Sequence, residues 1–221
     1  MSPEYPVHVV EIRVGSVADA SAIARVRRES WHAAYAGIIA APLIDRATAT
    51  GGSASDPPPY RRTLVAEADE PPAVIGYASF GPERTVPAAA AAPSVAADGQ
   101  PAPGSTAARS LTSTAPAARA VAWDPLPAGP LTADGRAGRV GELYALYVTS
   151  AWWSAGVGRE LMGRVLTALE AEGYQRAVLW VLADNARARR FYERAGFAPD
   201  GGSNILTGLG GVLEVRYARR L

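Results

Sequence analysis

Between Glu142 and Gly158 the hydrophobic period of the chain changes within a few residues, and few folds accommodate such a change. Leu143 to Val148 is apolar and rich in β-forming side chains, as a buried strand requires. Ser154 to Gly158 is small and holds two glycines. From Val157 the apolar residues fall at Val157, Leu161, Val165 and Leu169, one face of a helix. A strand therefore passes into a helix through a tight turn. The first N–H groups of that helix have no partner within it and sit at the positive end of its dipole. Gly156 and Gly158 lack a Cβ, so a ligand can come close to the backbone. The turn is a candidate anion site, with phosphate the best-matched ligand.

Two familiar phosphate loops fit poorly. A Walker loop needs Gly-Lys-Ser/Thr, and all 22 Lys-plus-Arg positions are arginine. A dinucleotide fingerprint needs a third glycine where Leu161 stands, and this strand comes late in the chain. A tight turn with no ligand is the plain alternative.

The 221 residues suit one domain. A net charge of +1 without blocks of like charge argues against nucleic acid or an anionic membrane as partner. The absence of cysteine excludes disulfides, thiolate zinc sites and cysteine nucleophiles. His8 and His32 are too few for a histidine-based metal site, so no metal is expected. Met1 to Val10 lacks the pattern of a signal peptide, and no apolar run nears the ~20 residues of a membrane span. A cytoplasmic protein is expected.

In chain order, His8 to Val14 reads as a first strand. Ser16 to Asp19 reads as a capping box opening a helix to about Ser30. Trp31 to Gly37 reads as a second short helix or a pocket wall. Gly51 to Tyr60 is a loop. Thr63 to Ala66 and Val74 to Phe80 are strands of a hairpin turning at residues 69–72. Thr85 to Gly138 is Ala/Pro/Ser/Thr/Gly-rich, with few large apolar residues to offset its ordering entropy. It is predicted to be a disordered insertion between two strands of a single 1–221 domain, with a lid or partner-binding role as the alternative. The helix from Val157 ends at Gly173, and Ala177 to Leu182 follows as a buried strand, a right-handed crossover unit. Asp184 or Asn185 caps a helix over Ala186 to Ala195, stopped by Gly196. Leu213 to Tyr217 is a last strand.

This order resembles the GCN5-related N-acetyltransferase (GNAT) superfamily, and particular residues agree. The family's acetyl-CoA motif, Arg or Gln-x-x-Gly-x-Gly or Ala, is matched by Trp153-Ser-Ala-Gly156-Val-Gly158, with Trp153 as a departure at its first position. The second signature, an Asn, then a helix with a Tyr, then Gly-Phe, is matched by Asn185, Tyr192 and Gly196-Phe197. Ala18-Asp-Ala20, Trp31 and Tyr35-Ala-Gly37 look like a bacterial branch of the family. The resemblance covers nearly all of the chain except 85–138.

The resemblance implies an α/β (α+β) fold: a central mixed, mostly antiparallel twisted sheet of six to seven strands flanked by about four helices. It implies direct transfer of acetyl from acetyl-CoA to a primary amine of a small molecule or peptide, in a ternary complex. The diphosphate would lie on the N–H groups of Ser154, Ala155, Gly156, Val157, Gly158 and Arg159, beside Trp153. The pantetheine arm would pair with Leu146, Tyr147 and Val148 and touch Asn185, and an N–H near Val148 would hold the oxyanion. Tyr192 would protonate the leaving thiolate. Glu142 would take the amine proton through water, with Tyr144 on the same strand face by period two. Trp31, His32, Tyr35 and Tyr144 would line the acceptor pocket with aromatic faces suited to a cation. A homodimer stays open. Two other uses of the fold compete: a non-catalytic acyl-CoA sensor or partner-binding module, and a scaffold built on the insertion.

Overall fold

The computed structural model describes residues 10–49, 61–69, 71–84 and 139–221. The start of the expected first strand, the 51–60 loop and the 85–138 insertion lie outside the described residues. Strand β1 is Val10–Val14 and helix α1 is Ala20–Tyr35, followed by α2 (Ala41–Ala49). The hairpin is β2 (Arg62–Asp69) and β3 (Pro72–Pro82). Then come β4 (Val140–Val148), α3 (Val157–Ala171), β5 (Arg176–Leu182), α4 (Ala186–Arg194), β6 (Ala198–Leu206) and β7 (Val212–Arg220).

The strands form one seven-stranded sheet in the order β1-β2-β3-β4-β5-β7-β6. Only β4 and β5 run parallel, joined by α3; the other neighbours are antiparallel. This is the predicted mixed, mostly antiparallel sheet.

Two irregularities in β4 shape everything that follows. First, its ladder with β5 stops at Leu143↔Leu179, although both strands continue. Beyond that point they part and leave a slot. Second, Ser79 faces Ala145 while its neighbour Phe80 faces Leu143, so Tyr144 is an extra, unpaired residue. Such a bulge breaks the alternation of side chains. Leu143 packs with Leu161 and Val165 under α3, whereas Ala145 and Tyr147 pack with Val26 of α1 on the opposite face. Fully burying Leu161, Val165 and Leu169 of α3 stabilises by roughly 1.5–3 kcal/mol each.

The first helix differs from the sequence reading. It continues five residues past Ser30 because nothing from Trp31 to Tyr35 breaks a helix, and it stops before Gly37, whose φ is +81°. Trp31 and Tyr35 therefore belong to α1, one turn apart. Ser30 Oγ donates to the Val148 carbonyl at 3.1 Å, tying α1 to the end of β4. Ahead of α1, Asp19 accepts from Ser16 N and Oγ, as a capping residue should, and also takes a two-pronged bond from Arg13. The Arg13 hydrogen bonds hold the Asp19 carboxyl well below the usual carboxylate range. Helix α2 and strand β6 were not predicted. Pro199, Gly201 and Gly202 hide β6 in the sequence, and its register with β7 shifts there.

Candidate active site

A cavity of about 850 Å³ occupies the slot between β4 and β5. Along one wall, Tyr144 to Val148 have no β5 partner, so the β5-facing backbone groups of this stretch are outside any ladder. Unpaired strand edges of this kind accept an extended ligand as an added strand.

The strand leads into the turn. Ser154 has φ +66° and Gly156 has φ +91°, two left-handed residues in close succession. Ser154 is the one non-glycine residue with positive φ among the described residues. Such turns aim consecutive N–H groups toward one point and make anion-binding concavities. The first helical bond of α3 is Glu160 N–H to Gly156 O at 3.0 Å, so the N–H groups of Val157, Gly158 and Arg159 precede the ladder. A Cβ on Gly158 would meet Phe191 at 3.5 Å and Leu146 at 3.8 Å, both ordinary contacts. The protein itself does not demand glycine there.

Trp153, where the family motif has Arg or Gln, is structural. Its indole Nε1 donates to Val148 O at 2.8 Å and lashes the turn to the end of β4. Its ring carries the Arg187 guanidinium of α4, 3.9 Å from the centroid. Arg159, Arg187, Arg190 and Arg194 all line the cavity, and none has a carboxylate partner among the described residues. The mouth is therefore electropositive.

Helix α4 begins where the Asn185 side chain accepts the Ala188 N–H at 3.0 Å, and Gly196 ends it with φ +83°. Asn185 is buried and lines the cavity. Tyr192 packs edge-on to Phe191 and Phe197, with centroids 5.3 and 6.3 Å away. Its hydroxyl has no hydrogen-bond partner among the described residues. Burial pushes the phenol well above its ordinary range, so it stays protonated.

The structure corrects the reading of Glu142. Glu142 is fully buried, and its carboxylate accepts Arg84 N (2.8 Å), Arg84 Nε (3.0 Å) and the Arg84 terminal nitrogen. It does not line the cavity. Tyr144 does line it, and its hydroxyl donates to Pro82 O while the Arg84 guanidinium that binds Glu142 lies 4.8 Å from its ring centroid. Both groups of the expected water chain are thus held by protein partners.

Trp31 and Tyr35, the expected acceptor-pocket aromatics, line this same cavity. Tyr35 and Tyr147 bring their hydroxyls to 3.4 Å, and Trp31 sits edge-on to Tyr35 at 5.1 Å. His32, on the next helical position, points elsewhere and meets Asp45 of α2 at 2.9 Å, exposed. Glu214 of β7, which sequence reasoning passed over, lines the cavity. In Leu213-Glu-Val-Arg-Tyr217 it looks like any solvent-facing charge on an alternating strand. Among the described residues no group of three His, Cys, Asp or Glu is placed to hold a metal, and no helix is long and apolar enough to cross a membrane.

These features agree with comparisons to known proteins. A family model described as Acetyltransferase (GNAT) family matches residues 112–197. A mycothiol acetyltransferase from Beutenbergia cavernae is 46% identical over 59 residues, 27% of this chain and 20% of that protein. One from Parafrankia sp. is 40% identical over 77 residues, 34% of this chain and 24% of that protein. The chain thus spans 20% and 24% of the length of these relatives. The PaiA N-acetyltransferase of Thermoplasma acidophilum, solved with coenzyme A, shares the fold with a TM-score of 0.57 at 18% identity, covering 94% of this chain and 98% of that one. A GCN5-related N-acetyltransferase from Rhodopseudomonas palustris does so with a TM-score of 0.59 at 14% identity, over 99% and 100%. Residues 112–197 are thus similar to the GNAT acetyltransferase family, and the described fold is the one these solved acetyltransferases share.

Proposed function

We propose that the protein is an acetyl-CoA-dependent N-acetyltransferase that passes the acetyl group directly to a primary amine of a small molecule or peptide, with both substrates bound at once in the cytoplasm. The observation that carries this reading is the slot. The free edge of β4, the turn with Gly158 and Arg159 at the start of α3, and Tyr192 all line one cavity. Those groups suit acetyl-CoA as donor substrate. The diphosphate fits the N–H groups from Ser154 to Arg159, with Arg159 and Arg187 adding charge. The pantetheine arm fits the Leu146 to Val148 edge beside Asn185. The name of the curated relatives supports acetyl as the transferred group.

Chemically, the amine lone pair forms the C–N bond, the C–S bond breaks, and sulfur leaves with the electron pair. Tyr192, kept protonated by burial, supplies the proton to sulfur. A backbone N–H near Val148 would polarise the thioester carbonyl. Glu142 and Tyr144 position Arg84 on the cavity wall rather than moving protons.

The test is thiol release from acetyl-CoA across a panel of primary amines. Wild type should turn over with at least one amine. Tyr192→Phe should lose roughly 10²–10⁴-fold in kcat while still melting higher with acetyl-CoA. Ligand at about 100 times Kd stabilises by roughly 2.7 kcal/mol, so a flat melting scan with millimolar acetyl-CoA would overturn the reading.

A further inference from the structure

The acceptor amine enters as an ammonium ion and must lose a proton before it can attack. The cavity contains a group for that task which none of the family motifs supplies. Among the described residues, Glu214 is the one carboxylate that lines the cavity. One of its oxygens accepts the Asn204 side-chain amide at 2.9 Å, which fixes the carboxylate from β6. The other oxygen has no partner among the described residues.

Its side of the sheet is the right one. Glu214 pairs across the ladder with Leu182, and Leu182 packs with Trp31, Ile39 and Ile44 on the α1–α2 face. Tyr192 packs on the α3 face, with Leu161 and Met162. The two groups approach the slot from opposite sides of the sheet. An amine and a leaving thiol must likewise sit on different sides of the carbonyl carbon that joins them.

Resting on the transferase reading above, we infer that Glu214 is the proton acceptor for the acceptor amine, and that the acceptor enters from the α1–α2 face. One ammonium proton passes to the free oxygen of Glu214 and on to solvent. The nitrogen then forms the C–N bond, and sulfur departs with its electron pair and takes the Tyr192 proton. The second proton on the acylated nitrogen returns to Tyr192. The sum is ammonium plus thioester giving amide, thiol and one solvent proton.

The charged and titratable groups around Glu214 come from several elements. They are Arg84 beyond β3 and Glu142 and Tyr147 on β4. On its own strand, Arg216 is engaged by Glu83 and Asp200. Burial raises the Glu214 carboxyl, while the Asn204 hydrogen bond and Arg84 offset part of this. A raised carboxyl is a stronger base than an exposed one.

The experiment uses the full chain, acetyl-CoA, and a panel of tyramine, spermidine, glucosamine and a tripeptide with a free N-terminus. Glu214→Gln should keep the melting shift with acetyl-CoA but lose roughly 10²–10³-fold in kcat/KM at pH 7. Its rate should climb with pH up to the pKa of the amine, where wild type has already levelled off. Glu214→Asp should restore part of the rate and the wild-type profile. A Glu214→Gln rate within threefold of wild type with an unchanged profile overturns the assignment alone. Should the Gln variant fail to fold, wild-type kcat in Glu214→Asp overturns it. Wild type that turns over no amine overturns the transferase reading, and the assignment with it.

Discussion

The two ends of β4 are built from the same strand and do opposite things. At its foot, Gly141 to Leu143 is laddered on both sides, and the carboxylate there, Glu142, is fully buried and bonded to Arg84. At its head, Ala145 to Val148 is laddered on one side only, and the carboxylate that lines the same cavity, Glu214, has a free oxygen. The same chemical group is structural in one place and available in the other. Surroundings, not residue type, separate the two: Glu142 is enclosed with Arg84, whereas Glu214, although paired to β5 and β6, lines the cavity. A polar group enclosed by protein must be satisfied by protein, whereas one facing a cavity can wait for a ligand.

The sharpest way to break this contrast is to neutralise each carboxylate in turn. Glu142→Gln leaves Arg84 without its buried counter-charge and should cost about 3 kcal/mol, the low end for such pairs because Arg84 still reaches water. Glu214→Gln should leave the melting temperature unchanged or slightly raised, since burial disfavours its ionised form. Thermal melts of the two variants check this, and equal losses would erase the distinction.

Glycines test it next. A Cβ on Gly141, at the foot, would lie 2.6 Å from Leu169 Cδ2, and Leu169 is fully buried. Gly141→Ala should cost about 2 kcal/mol through overpacking. Gly158→Ala, at the head, meets nothing closer than 3.5 Å and lies inside a helix. It should gain up to about 1 kcal/mol while reducing the melting shift given by acetyl-CoA.

A pair remote from both ends serves as a control. Asp19→Asn should cost about 1.5 kcal/mol at neutral pH, as hydrogen bonds to charged groups do. The folded carboxyl titrates below its unfolded value of 3.8. Its stabilisation is therefore complete above that pH and is lost as acid takes the solution below it. The melting gap between wild type and variant should be constant from neutrality to about pH 5 and narrow below about pH 4. The smallest effect on stability belongs to Arg187→Ala, under about 0.5 kcal/mol for an exposed residue. If the Arg187–Trp153 stack brings charge to the turn, this variant should weaken acetyl-CoA binding in titrations.

What the sequence displayed was what neighbours in the chain decide. The strand, turn and helix from Leu143 to Leu169 depend on local period and glycine. The Asn185 cap and the Gly196 stop depend on residues within one turn. What stayed hidden depends on distant partners. Glu142 finds Arg84, 58 positions away, so its engagement has no local sign. Tyr144 and Glu142 both meet Arg84, but the bulge against Ser79 and Phe80, which resets the alternation after Tyr144, has no sign in the sequence. Glu214 became visible only once β7 was set beside the parted end of β5. The aromatic run at Trp31 to Tyr35 looked like an element boundary because aromatics mark surfaces that pack, yet it is the last turn of α1.

The extra residue in β4 also sets the parity of the strand. Counted along the sequence, Leu143 and Ala145 would share a face; with Tyr144 taken up in the bulge, Leu143 and Leu146 share one side of the sheet and Ala145 and Tyr147 the other. Deleting that single position would give a regular strand in which Ala145 follows Leu143 directly and Tyr147 keeps its place beside Trp31 and Tyr77. What the strand would lose is Tyr144 itself, the side chain that ties this edge of the cavity to Pro82 and Arg84.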